Sequence, residues 1–305
     1  MRWYHARVVD QYICTELDKR FIEYKSHKEG KSDGNGSSVS SKSSIATLAL
    51  ETYASEFGTS YKETLDPNFR SLAASQIRLF MLAGHDTTSS SIVYALHNLY
   101  TNPECLDRVR AEHDSVFGPD PSSAGDLLTK TPALLNQLPY TLAVIKESLR
   151  LFPPSASLRA GNEETVLTDE QGRQYPTAGC YVWLLQHSMH KSPEFWPEPD
   201  KFIPERWLVG PDDPLYPVKG AWRPFELGPR NCIGQTLALT EIKIVMVLAA
   251  RRFDIDPAYE EWDDLYPSKG VKTVRGSRAY LVHGGGGGAH PAKRYPCRVK
   301  VRESC

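Results

Sequence analysis

The spacing of apolar side chains divides this 305-residue chain into long helical stretches, then short strands around a proline-rich run. Residues 5–27 carry Val9, Ile13, Leu17 and Phe21 four apart, which predicts a helix with one apolar face. A short helix follows over 45–57. Asp66-Pro67 then announces a long helix over about 68–100, rich in Leu72, Ile77, Leu79, Phe80, Met81 and Leu82. Asn102-Pro103 opens another helix through residue 116, with Asp107, Arg108, Arg110 and Glu112 on a solvated face. An amphipathic helix is expected over 134–151, stopped by Pro153-Pro154. Beyond it the period changes. Residues 163–175 alternate around Asp169-Glu170-Gln171-Gly172 and predict a β-hairpin, and 180–185 predict a short buried strand. Residues 193–224 lack periodicity and predict an irregular meander. Residues 235–250 predict a buried helix, and 253–255 and 279–282 two strands.

Composition narrows the class. Residues 30–44 are rich in Gly and Ser and predict a flexible loop; 284–288 predict a flexible tip, and 284–305 a tail without recognisable chemistry. The net charge of −1 is spread along the chain, which leaves no electrostatic footprint for nucleic acid. Six cysteines (14, 105, 180, 232, 297 and 305) are scattered without a C-x-x-C pair. That argues against a zinc site or disulfide framework and fits a reducing compartment. No apolar run approaches a membrane span, and Met1 is followed by Arg2, Trp3, Tyr4 and His5, unlike a signal peptide.

Four stretches carry candidate chemistry. In Phe225-Glu-Leu-Gly-Pro-Arg-Asn-Cys-Ile-Gly234, Gly228 and Gly234 let the backbone bend, and Arg230 stands two residues before Cys232. A thiol at the start of a helix beside an arginine is expected to favour the thiolate, the metal-binding form. In Ala83-Gly-His-Asp-Thr-Thr88, poor helix formers interrupt an apolar helix. Either Asp86 caps a second helix after a break, or small residues and hydroxyls line a cavity there. Lastly, Glu147 and Arg150 stand at i and i+3, a pair common on solvated helices, and Pro204-Glu-Arg-Trp207 follows.

The pattern F-x-x-G-x-R-x-C-x-G resembles the haem-binding signature of the cytochrome P-450 superfamily at all five fixed positions. Chance would produce it about once in ten thousand chains of this length. A-G-x-D-T-T resembles the family's oxygen-activation segment, Glu147-x-x-Arg150 its E-x-x-R pair, and Pro204-Glu-Arg-Trp207 its P-E-R-F, with Trp207 in place of Phe. The four motifs stand in the family's order and imply a mainly α fold with small β elements. They imply haem b with Cys232 as axial thiolate ligand, which favours O–O cleavage. Phe225, Gly228 and Gly234 would shape the loop, and Arg230 would pair with a haem propionate. Arg159 is either a second propionate partner or an ordinary surface arginine. Gly84 would open room over the iron, Asp86 and Thr87 would relay protons with Thr88 in support, and His85 would be no ligand. Glu147, Arg150 and Arg206 would form a buried charge network.

The implied activity is monooxygenation of an apolar organic substrate by O2, with NADPH electrons from a cytochrome P-450 reductase at the endoplasmic reticulum. The motif style resembles fungal microsomal members, some in secondary metabolism. Alternatives are an inactive haem-binding fragment, a haem-thiolate isomerase or peroxygenase, and an unrelated helical interaction protein. The oxygen-activation motif usually lies beyond the middle of a family member. Its place at 83–88 implies one domain over 1–305, incomplete at its N-terminus and without membrane anchor or much of the substrate pocket.

Overall fold

A computed structural model describes residues 2–30, 44–57, 64–283 and 288–302, with side chains omitted at 2–6 and 27–30. Residues 31–43 and 284–287, in the expected loop and tip, lie outside the described residues. The chain divides into two compact units, residues 1–85 and 86–305.

In the first unit, α1 (Arg2–Gly30), α2 (Ile45–Phe57) and the start of α3 (Pro67–Tyr100) enclose a small core of Ile13, Leu17, Phe21, Leu50, Leu65, Ala73 and Ala74. Helix α3 starts where the sequence signals it. Pro67 needs no hydrogen bond at the first position, and Asp66 Oδ1 accepts from the Asn68 and Phe69 amides at 3.0 and 3.1 Å. Asp18 grips Arg70 with both carboxylate oxygens. Val9, expected on the apolar stripe, stays 39% exposed, one turn beyond the last core contact at Ile13.

The second unit begins within α3 and adds α4 (Pro103–Phe117), α5 (Ala124–Lys130), α6 (Pro139–Leu151) and four strands: β1 (Ser157–Ala160), β2 (Val166–Thr168), β3 (Gln174–Pro176) and β4 (Tyr181–Leu184). After these come α7 (Gln186–His190), α8 (Gln235–Ala250), β5 (Phe253–Pro257), α9 (Tyr259–Leu265), β6 (Leu281–His283), β7 (Ala289–Pro291) and β8 (Cys297–Val301). Its main core joins α3, α4, α6 and α8 through Ala95, Leu99, Val109, Val144, Leu149, Ile242 and Met246. A second cluster stacks Tyr94 on Phe152, ring centroids 4.1 Å apart, beside Tyr259 and Tyr295. The strands form antiparallel pairs: β1–β4, β2–β3, β5–β8 and β6–β7.

Several expectations change. Helix α6 starts at Pro139, because the proline has no N–H for an earlier turn; residues 132–137 form a separate 3-10 turn. Strand β4 is not buried: among the described residues it pairs only with β1, and Tyr181 and Trp183 are 76% and 62% exposed. Within residues 284–305, read from the sequence only as a tail without recognisable chemistry, β8 pairs with β5 across five registered positions. Helix α3 runs through Gly84 and Asp86 without a break, so Asp86 caps nothing. No helix among the described residues is long and apolar enough to cross a membrane.

His113 couples this core to pH. It is fully buried on α4, and its Nε2 lies 2.8 Å from the Thr141 hydroxyl. Burial first, and Arg251 second, push its pKa down to about 3. The unfolded chain takes up a proton near pH 6.5, so this contribution is complete above 6.5 and is lost as pH falls toward 3. One such group removes about 2 kcal/mol by pH 5. Urea midpoints at pH 7.5 and 5 are expected to converge in His113→Gln relative to wild type; an unchanged gap would contradict the assignment.

Candidate functional site

The loop around Cys232 is closed by its own backbone. The Cys232 amide donates to the Phe225 carbonyl at 2.8 Å, and the Asn231 amide to the Gly228 carbonyl at 3.1 Å. Gly228 takes φ +78°, a left-handed conformation that side chains disfavour, whereas Gly234 does not. Helix α8 begins at Gln235, three residues after the thiol, with Gly234 as its N-cap. Cys232 is exposed, and its Sγ forms no hydrogen bond among the described residues. Beside it in sequence, Leu227 is exposed, and Ile233 and Leu237 are 87% and 63% exposed. Apolar side chains left in solvent around a thiol mark a surface that an apolar group would cover.

Glu226 was invisible in the sequence and holds this loop in place. It adopts φ +61°, strained for a residue with a side chain, and is buried. Arg223 Nε donates to its Oε1 at 2.7 Å, and Gln186 Nε2 to its Oε2 at 3.0 Å. Burial pushes its pKa up, but hydrogen bonds from Ser157 and Arg223 outweigh that and leave it below the usual range. Gln186 also bonds Ser157, at the start of β1. The loop is thereby tied to β1 and α7.

Behind the loop, Glu147, Arg150 and Arg206 are fully buried in mutual contact. Arg150 donates to both Glu147 oxygens at 2.9 and 2.8 Å, and to the His190, Pro199 and Lys201 carbonyls. Arg206 Nε reaches Glu147 at 3.2 Å. Trp207, expected only to conserve an aromatic ring, donates its Nε1–H to Glu147 at 3.2 Å, a bond phenylalanine cannot make. The link to the loop passes through His190, whose carbonyl takes Arg150 and whose Nε2 accepts the Arg223 amide at 2.9 Å. Burial and Arg150 push the His190 pKa down to about 3, which keeps that nitrogen an acceptor at neutral pH. Trp222 adds a bond from its Nε1 to the Lys146 carbonyl.

On α3, a Cβ built at Gly84 would meet nothing within 4 Å, so the helix surface is open there. Thr88 is buried, and the Thr87 carbonyl accepts the Ser91 hydroxyl at 2.8 Å. Asp86 bonds the β6–β7 hairpin through His290 and Gly288, partners that sequence analysis missed. Arg159 on β1 is exposed and donates to the neighbouring Leu158 carbonyl, and Arg230 is exposed without an ion pair among the described residues. The structure thus joins Glu147, Arg150 and Arg206 in one contact network. It makes no hydrogen bond from Cys232 Sγ to Arg159 or Arg230.

This donor set fits haem. No cluster of three or more His, Cys, Asp or Glu among the described residues could cage a bare ion. One accessible thiol with an apolar surround suits an iron whose other ligands come from a macrocycle.

Glu147→Gln is expected to destabilise the protein by about 3–5 kcal/mol, because two buried guanidinium groups lose their counter-charge. Exposed Glu194→Gln is expected to stay within about 0.5 kcal/mol of wild type. Urea unfolding compares the two, and equal midpoints would remove the network from the stability of this unit.

Comparison with known proteins identifies the family. The profile of the family described as Cytochrome P450 matches residues 21–280. The chain is 46% identical over 260 residues to cytochrome P450 monooxygenase polC of Polytolypa hystricis, covering 84% of this chain and 46% of that protein. It is 35% identical over 259 residues to cytochrome P450 monooxygenase acrF of Aspergillus aculeatus, covering 78% and 52%. The chain therefore spans about half the length of these relatives. A crystal structure of a cytochrome P450, CYP102L1, superposes with TM-score 0.66 over 99% of this chain and 57% of that one; at 23% identity this likeness concerns the fold. With a matched profile over most of its length and relatives among fungal monooxygenases, this chain belongs to the cytochrome P450 family.

Proposed function

We propose that the protein of which this chain is a part is a haem-thiolate monooxygenase that inserts one oxygen atom of O2 into an apolar organic substrate. The observation that carries this is the backbone-closed loop presenting Cys232 among exposed Leu227, Ile233 and Leu237. In this assignment Cys232 is the axial ligand of haem b, which supplies the redox and oxygen chemistry when bound. Phe225, Gly228 and Gly234 set the loop, while Arg230 and Arg159 offer exposed guanidinium groups to the propionates. Glu226 and the Glu147–Arg150–Arg206 network keep the thiol from moving. Gly84 leaves space on α3, the Asp86 carboxylate and Thr87 hydroxyl hold and pass protons, and Thr88 supports them. Electrons come from NADPH through a reductase at the endoplasmic reticulum, and relatives named as fungal monooxygenases favour a role in fungal secondary metabolism.

Ligation is tested on the carbon monoxide complex of the reduced, haem-loaded protein. Wild type and Cys180→Ala are expected to show the red-shifted Soret band of thiolate ligation, and Cys232→Ala to lose it. Persistence of the band in Cys232→Ala would overturn the ligand assignment. Proton delivery is tested by product formed per NADPH consumed in the full-length protein with its reductase. Thr87→Ala is expected to lower that ratio about tenfold or more, within the usual range for losing a positioned proton donor, and to raise peroxide. An unchanged ratio would remove Thr87 from proton transfer.

A further inference from the structure

The Asp86 side chain is held at both oxygens by one hairpin from the far end of the sequence. His290 Nε2 donates to Oδ1 at 2.9 Å, and the Gly288 amide donates to Oδ2 at 2.9 Å. The second contact requires glycine, since a Cβ at position 288 would lie 2.4 Å from Oδ2. The hairpin is itself fixed along α3. Ser90, one turn after Asp86, donates its hydroxyl to the Ala289 carbonyl, and the Ala289 amide donates to the Pro154 carbonyl at 2.7 Å. Further along, His97 Nδ1 lies 3.2 Å from the Tyr295 hydroxyl.

This pair opens onto a cavity of about 500 Å³, lined by Asp86, Ser89, Val93 and His290, with Lys293 and Arg294 as its cations. Lys293, Arg294 and Tyr295 take φ of +54°, +61° and +59° in succession. Three consecutive left-handed residues with side chains are costly, and such strain gathers at functional sites. The Tyr259 hydroxyl, donating to the Ala292 carbonyl at 2.9 Å, helps hold this segment. The side chains of Asp86 and His290 remain 21% and 35% exposed, so water reaches both.

We infer that His290 is the positioning residue for Asp86, and that the cavity beside the pair is the entrance through which solvent protons reach α3. A proton passes from cavity water to the Asp86 carboxylate and leaves toward the Thr87 hydroxyl. The carboxylate then returns to its starting form, with one proton moved and no change of oxidation state. The N–H of His290 keeps Oδ1 turned to the cavity between transfers. This rests on the proton role proposed above for Asp86.

The test uses the haem-loaded full-length protein with its reductase, in His290→Phe, His290→Gln, Asp86→Asn and His290→Phe/Asp86→Asn. Glutamine keeps an N–H where Nε2 stood; phenylalanine keeps only the ring. His290→Phe is expected to lower product per NADPH at least threefold and to raise the solvent deuterium isotope effect, with His290→Gln restoring most of both. The double variant is expected to match Asp86→Asn. Independently of turnover, the Gly288 amide should exchange with solvent about tenfold faster in His290→Phe than in wild type or His290→Gln. Normal coupling in His290→Phe while Asp86→Asn uncouples would overturn the inference and leave the monooxygenase assignment standing. Normal coupling in Asp86→Asn would overturn the proton role and this inference together. Loss of the thiolate Soret band in wild type would instead defeat the functional assignment itself.

Discussion

One carboxylate, Glu147, accepts from five donors in a site closed to water: two nitrogens of Arg150, one of Arg206, the Ile203 amide and the Trp207 indole. One anion cannot neutralise two guanidinium groups. The excess positive charge is met by carbonyls at His190, Glu198, Pro199 and Lys201, which draws the end of α7 and the irregular chain at 198–201 toward α6. Chain without regular secondary structure has little of its own to fix its path. Here a buried charge does so, and the thiol loop is attached to that anchor through His190 and Arg223. Replacing such a network with apolar groups can raise stability. Its presence under the candidate ligand is better understood as geometric control of where Cys232 stands.

That control is layered. The Cys232–Phe225 backbone bond shapes the loop, Glu226 ties the loop to β1 and α7, and His190 joins it to the charge network. The second and third layers use hydrogen bonds to buried groups, Glu226 being charged as well, and these are stronger and more directional than surface contacts. The thiol itself is left bare, so the hydrogen-bonded part of the loop lies behind it and exposed surface in front.

Features encoded locally were legible in the sequence. Asp66-Pro67 marked the start of α3, the 235–250 helix fell where its apolar run lies, and Glu147 and Arg150, at i and i+3, are in contact. Partners far away in sequence were not. Nothing near Asp86 points to His290, and Glu226 occupies a free position of the loop pattern whose meaning lies in Gln186, forty residues away. Strand β4 misled because an apolar run shows what could be covered, and among the described residues only β1 pairs with it. Trp207 misled differently: as a Phe substitute its ring was anticipated, but its N–H was the part that mattered.

The 204 residues separating Asp86 from His290 also set a clock for biosynthesis. Helix α3 can form from local contacts soon after it leaves the ribosome, whereas the hairpin does not yet exist. At about 5–20 residues per second, the Asp86 carboxylate waits about 10–40 s for its partners. During that interval the helix carries Asp86 without the His290 and Gly288 contacts of the folded chain. The acid therefore gains its final orientation only when the intervening chain has been made, and its setting reports that the unit around it has closed.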